Sequence, residues 1–216
     1  MAVEAGEQLR ADARRNRDQI LAAAKEIFAE QGVSVPMEEI ARRASVGVGT
    51  LYRRFRDRDA LLRAVLEDVI ERVVVEAREA HRTEPTAWRA LVRIMRQSAQ
   101  FRVIMRVFRR SSEVQSLRLN TQEIACLRNE AYDIVDEVVA AAHREGSLRT
   151  DVGTADIIMM FSAAMHQGLA LRDETAVLVA DRALAIMLDG LRADPTREPL
   201  PGRPLARADV EIDRPR

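Results

Sequence analysis

Between Ile40 and Phe55 the apolar residues Ile40, Ala44, Val46, Leu51 and Phe55 follow a spacing that few arrangements of the chain satisfy. Ile40 and Ala44 fall four apart on one face of a short helix, and Leu51 and Phe55 repeat the interval on the next. Ser45, Val46 and Gly47 leave a three-residue turn between them, with Val46 as the apolar plug of the corner. Small Ala41 lets the two helices cross closely. This is the spacing of a helix-turn-helix, and its second helix projects with one face free to enter a DNA major groove.

The flanking sequence is helical as well. Over Arg17 to Gln31, Ile20, Ala24, Ile27 and Phe28 form an amphipathic stripe that ends at Gly32. Pro36 suits the first position of the short helix, and Glu38 and Glu39 suit its positive first turn. Asp59 is expected to open a long helix to about His81, with apolar pairs recurring near every fourth residue from Leu61/Leu62 to Val73/Val74. Further helices are expected from Pro85, from Ser111 or Ser112 to about Glu145, and over Ile157 to Leu171, the last buried nearly all round.

The helix from Thr175 to Leu191 carries two apolar faces, one with Val177, Leu184, Leu188 and Leu191, the other with Val179, Ala183, Ile186 and Gly190. Two faces need two partners. One is the chain's own core, and the other is assigned to a second copy, which makes the protein a two-fold homodimer.

Composition narrows the class. Apolar residues make up 47% and charged residues 31%, with 9 Gly and 7 Pro, which suits a soluble, globular helical protein better than a disordered or all-β one. One cysteine, Cys126, cannot form an internal disulfide, and three scattered histidines make no metal cluster. Neither a signal peptide nor a membrane span is expected, so the location is cytoplasmic. The net charge is zero, but from Arg42 to Arg58 six arginines stand against one acid, and Arg10 to Arg17 is basic too. A local patch of this kind is enough for a small nucleic-acid reading head.

With these residues in view, the sequence resembles the TetR-type repressor family. The likeness is carried by Ile20-Leu21-x-Ala23-Ala24 with Phe28 and Gly32, and by Ile40-Ala41-x-x-Ala44-x-Val46-x-x-Gly49-Thr50-Leu51-Tyr52-x-x-Phe55. Arg58 and Ala60-Leu61-Leu62 complete it, so that about a quarter of the chain is covered. The resemblance implies an all-α protein: a charged N-terminal arm over 1–16, a three-helix DNA-binding domain over 17–58, and a larger helical ligand-binding and dimerisation domain over 59–193. Beyond Asp194 lie five of the seven prolines, and 194–216 is expected to be a mobile Pro-rich tail.

The resemblance further implies a repressor that binds a double-stranded DNA operator and is released by a small-molecule inducer, without a cofactor. Gly47, Val48, Gly49 and Thr50 would approach base edges, and Tyr52, Arg53, Arg54 and Arg58 the phosphates. Ser45 stands where the family usually has a turn glycine, and Gly47 where a serine often caps the recognition helix. Trp88, Met95, Met105, Phe108, Tyr132, Met159 and Met165 either line an apolar ligand cavity or are plain core. His166 either orients a ligand or is a hydrogen-bonded structural histidine. Two rival readings are an all-helical enzyme and a protein-interaction module. Neither has a nucleophile elbow, phosphate loop or metal pair to support it, and both exclude salt-dependent DNA affinity.

Overall fold

The computed structural model describes residues 2–100, 121–166 and 173–210, and among these every regular element is an α-helix. The chain divides into two compact units: the first reaches Glu71 and takes in the segment before Cys126, and the second begins at Arg72 and resumes at Cys126.

Helices α1 (Ala2–Gln31), α2 (Met37–Arg43), α3 (Val48–Arg54) and the first half of α4 (Arg58–Thr83) build the first unit. No separate arm precedes it, because the backbone of 2–16 simply continues α1. That segment is rich in Ala, Glu, Leu and Arg, all strong helix formers. Gly32, at φ +88°, ends α1 in the left-handed region where glycine is at ease. Ile20, Leu21, Ile27 and Phe28 of α1 are buried, as are Ile40 of α2 and Leu51 of α3. Leu61, Leu62 and Val65 on α4 are fully buried within the same unit, and Lys25 Nζ pairs with Asp68 at 2.7 Å. These contacts carry the first unit beyond residue 58, the boundary expected from the sequence.

Asp57, not Asp59, caps α4. Its Oδ1 accepts the Ala60 N–H at 2.7 Å, which satisfies one of the four amides that a helix start leaves unpaired. That bond, with the nearby Arg56, holds the Asp57 carboxyl below its ordinary value.

The second unit contains the rest of α4, then α5 (Ala87–Gln100), most of α6 (Gln122–Arg144), α7 (Thr154–His166), α8 (Asp173–Leu191) and the short α9 (Arg207–Val210). Its core joins Val74 and Ala77 of α4, Trp88, Leu91 and Met95 of α5, Val138 of α6, Ile157 of α7, and Leu184, Leu188 and Leu191 of α8. Both carboxylate oxygens of Glu145 accept the Ala87 N–H, at 2.9 and 3.0 Å, so α5 is capped from the far end of α6. Gly146, at φ +66°, turns the chain after α6 as expected. Helix α7 departs from the expectation of all-round burial: Met159 and Met160 are exposed, because only its Ala155 and Ile157 side turns inward. Cys126 is exposed as well.

The expectation of a mobile tail is corrected over 194–210. Asp151 Oδ2 accepts the Leu200 N–H at 2.7 Å, and Arg149 donates to the Glu198 carbonyl at 3.1 Å. Asp156 Oδ2 accepts the Leu205 N–H at 3.0 Å. Arg207 pairs with Asp133 at 2.6 Å and covers the Tyr132 ring, its guanidinium carbon 4.4 Å from the ring centroid. A side chain on Gly153 would lie 2.5 Å from the Leu205 carbonyl oxygen, so this glycine lets the strap lie close. Prolines remove backbone donors from the segment, and aspartate carboxylates accept those of Thr196, Leu200, Leu205 and Ala206. Apolar content was the wrong guide to a segment held by ion pairs.

Candidate nucleic-acid interface

The turn between α2 and α3 is fixed by backbone bonds. Ser45 N–H donates to the Arg42 carbonyl at 3.1 Å and Val46 N–H to the Ala41 carbonyl at 3.0 Å, the paired bonds of a Schellman C-cap. Ser45 takes the left-handed position of that motif, at φ +55°. A non-glycine residue there costs roughly 1–2 kcal/mol. The bonds formed by the turn and the burial of Ala41 and Ala44 hold it in place.

Helix α3 starts at Gly47 with no side-chain cap, and only Leu51 of its seven residues is buried. Leu51 and Phe55 therefore point into the first unit, while Gly47, Val48, Gly49, Tyr52, Arg53 and Arg54 are exposed and Thr50 is half-buried. Val48 and Tyr52, at 40% and 42% exposure, are large apolar or aromatic groups left on one face. Arg53 donates to Thr50 Oγ1 at 2.9 Å, so the two form one polar unit on that face.

Neither glycine is required by the fold. Both have negative φ, a Cβ on Gly49 would meet nothing within 4 Å, and one on Gly47 would only reach Thr50 Oγ1 at 3.8 Å. Gly47 and Gly49 thus leave bare backbone on the exposed side of α3, with room for a side chain at both positions.

The basic run does not act as one patch. Arg43 is held by Glu30 at 2.9 Å and by Glu26 at 3.8 Å, and its presence keeps the Glu30 carboxyl below its ordinary value. Arg58, which the sequence placed among the phosphate contacts, is turned inward. Its Nη1 donates to the carbonyls of Val33 and Val35, the latter at 2.6 Å, clamping the α1–α2 loop. Two exposed arginines outside the expected set, Arg42 and Arg56, remain on the surface with Glu39 and Asp57 beside them. Alternation of Arg with acids in the sequence signals such pairs, but not which arginine a loop carbonyl will capture.

The residues expected to line a ligand cavity do not converge. Trp88 and Met95 lie in the core of the second unit, Tyr132 lies beneath Arg207, and Met159 is exposed on α7. Met105 and Phe108 fall outside the described residues, as do the side chains of Met165 and His166. The face expected to meet a second copy is present on α8, with Val179, Ala183 and Gly190 half-buried and Ile186 68% exposed. No helix among the described residues is long and apolar enough to cross a membrane.

Known proteins agree with this geometry. Residues 20–65 match the model of the bacterial regulatory proteins of the tetR family. An HTH-type transcriptional regulator of Staphylococcus aureus (strain USA300) is 40% identical over 60 residues, 27% of this chain and 32% of that protein, so this match spans about a third of the relative's length. The solved TetR transcription regulatory protein from Mycobacterium vanbaalenii is 34% identical, with a TM-score of 0.67 over 85% of this chain and 99% of that one. The regulator SCO0520 from Streptomyces coelicolor is 28% identical, with a TM-score of 0.66 over 82% and 98%. FadR from Bacillus subtilis, solved in complex with stearoyl-CoA, shares the fold at 19% identity and a TM-score of 0.58 over 80% and 98%. With its helix-turn-helix and its likeness to a whole relative above 30% identity, the chain belongs to the TetR family of helix-turn-helix transcriptional regulators.

Proposed function

We propose that the protein is a homodimeric repressor that reads a double-stranded operator with the exposed face of α3 and leaves it when a small molecule occupies the second unit. The observation that carries the DNA reading is the pair of glycines at the start of α3, bare and unrequired by the fold. Val48 and Thr50 are placed to touch base edges, and Tyr52, Arg53 and Arg54 to reach phosphates. The dimer is supported by the apolar α8 face, and the ligand response by the family and by FadR, a relative in fold that holds stearoyl-CoA. Mechanically, α4 is one continuous helix of 26 residues that begins in the first unit and ends in the second. A ligand that favours one placement of this helix changes the separation of the two heads, at a coupling of about 1–3 kcal/mol. The non-enzymatic, cytoplasmic character expected from the sequence belongs to the same proposal.

The test uses Gly49→Ala. An alanine in a helix is favoured over glycine by up to about 1 kcal/mol, so thermal stability is expected to rise slightly while operator affinity falls. In parallel, Arg53→Ala is expected to reduce the slope of log affinity against log salt by roughly one unit. Titrations against DNA upstream of the protein's own gene, at two or more salt concentrations, read both. A Gly49→Ala protein that binds DNA as tightly as the parent would remove α3 from the interface.

A further inference from the structure

A cleft of about 560 Å³ opens on the second unit between α5 and the C-terminal end of α8. Its volume lies within the range of small-molecule sites. Arg89, Arg93 and Arg96 follow one another at i, i+4 and i+7 along its α5 wall, and Arg192 enters from beyond α8. Against these four guanidinium groups stand two carboxylates. Glu84 is divided between Arg93 at 3.2 Å and Arg89 at 3.5 Å, and Asp189 is shared with Arg197 at 3.4 Å. The cleft therefore keeps an excess of positive charge.

The floor has a different character. Arg192 stacks over the Trp88 ring, 5.1 Å from its centroid, and Val92 and Leu188 add aliphatic surface beside it. Gln97 also lines the cleft, and its Oε1 is buried with no hydrogen-bond partner among the described residues.

We infer that this cleft binds an amphipathic organic anion: an aromatic or apolar body lying by Trp88 and an acidic group held by the arginines. Guanidinium groups suit this because they pair with oxyanions in a planar fork and stack on rings. The inference rests on the reading of the second unit as the ligand-responsive part, and it supplies a place and a ligand class that the core methionines and aromatics did not.

The probe is 1-anilinonaphthalene-8-sulfonate, which combines fused rings, an N–H donor and a sulfonate. N-Phenyl-1-naphthylamine, which keeps the rings and the N–H but lacks the charge, is the comparison. Trp88 is the only tryptophan of the chain, so energy transfer from it to bound dye reports on this cleft. The expected result is saturable transfer with one dye per chain, with the sulfonate at least about tenfold tighter than the neutral dye. Arg96→Glu, at an exposed position, is expected to weaken the sulfonate by a similar factor, with unchanged circular dichroism and little effect on the neutral dye. Equal binding of the two dyes, absence of transfer, or an Arg96→Glu protein that binds the sulfonate normally would overturn the inference. DNA affinity with and without the sulfonate addresses the release mechanism separately. Dye binding that depends on Arg96 but leaves DNA affinity unchanged upholds the cleft and counts against release.

Discussion

Arg58→Ala is expected to destabilise the first unit by about 2–3 kcal/mol, since a hydrogen bond to a charged group contributes about 1.5–3 kcal/mol and partial exposure lowers the sum of two. The guanidinium bonds the carbonyls of both Val33 and Val35, and the side chains of those residues are buried. Without Arg58 the α1–α2 loop keeps its apolar burial but loses the donors that close it. Arg58→Lys should recover only part of the loss, because both bonds come from the terminal Nη1, which the shorter lysine side chain does not match in reach. Chemical denaturation measures the stability change, and DNA titration separates the two roles this residue has been given. A clamp lost from the fold lowers affinity at every salt concentration with the slope preserved, whereas a lost phosphate contact flattens the slope. A stable Arg58→Ala protein with a flattened slope would return Arg58 to the interface.

Ile186→Arg carries the second large effect. Ile186 is 68% exposed on α8, so arginine there costs the isolated chain little. In a two-fold contact the substitution places two like charges in an apolar seam, and an unpaired charge in such a setting costs about 3–5 kcal/mol. The dimer dissociation constant should rise by at least about 100-fold, a factor that corresponds to about 2.7 kcal/mol. Operator affinity should fall with it by about two orders of magnitude or more, because two linked heads gain about 10²–10⁴ over one. Light scattering at micromolar concentration reads the first effect. A variant whose dissociation constant, followed through a dilution series, matches the parent's would show that this face is not the seam.

The first unit was legible because its determinants are local. The intervals from Ile20 to Phe28 and from Ile40 to Phe55 each report one helix face, and left-handed positions at Gly32 and Ser45 follow from the turns those helices need. The exposed face of α3 follows from the same intervals by subtraction. Arg58 was misplaced because its partners are backbone carbonyls more than twenty residues away, and a carbonyl has no signature in sequence. The strap over 194–210 was misread for a related reason: its anchors, Asp133, Asp151 and Asp156, look like ordinary solvated charges until the chain returns to them. In the second unit, hydrophobicity marked Trp88 and Met95 as inward but could not distinguish a ligand cavity from core. The arginine stripe along α5 was visible as an interval, yet Arg192, nearly a hundred residues on, gives it depth only once the fold is formed.

Anchoring a chain end on carboxylates makes its attachment a proton-linked equilibrium. The Arg149 guanidinium first, and then the Leu200 amide, hold the Asp151 carboxyl well below the usual carboxylate range; Arg203 and the Ala206 amide do the same for Asp209. A carboxyl depressed in the folded state contributes stability that is fully present above its unfolded value, about 3.9, and that fades as the pH falls toward the folded value. Acid should therefore peel the strap from the second unit before it melts the apolar core beneath, which holds no carboxylate among its buried residues. In hydrogen exchange corrected for intrinsic rates, protection at the Leu200 amide is expected to decline below about pH 4 while that at Val138 and Leu188 persists. Protection at Leu200 that stays level across this range would mean that the aspartates only accompany the strap and do not hold it. If they do hold it, the strap over 194–210 detaches by taking up protons, at a pH set by its aspartates and not by its prolines.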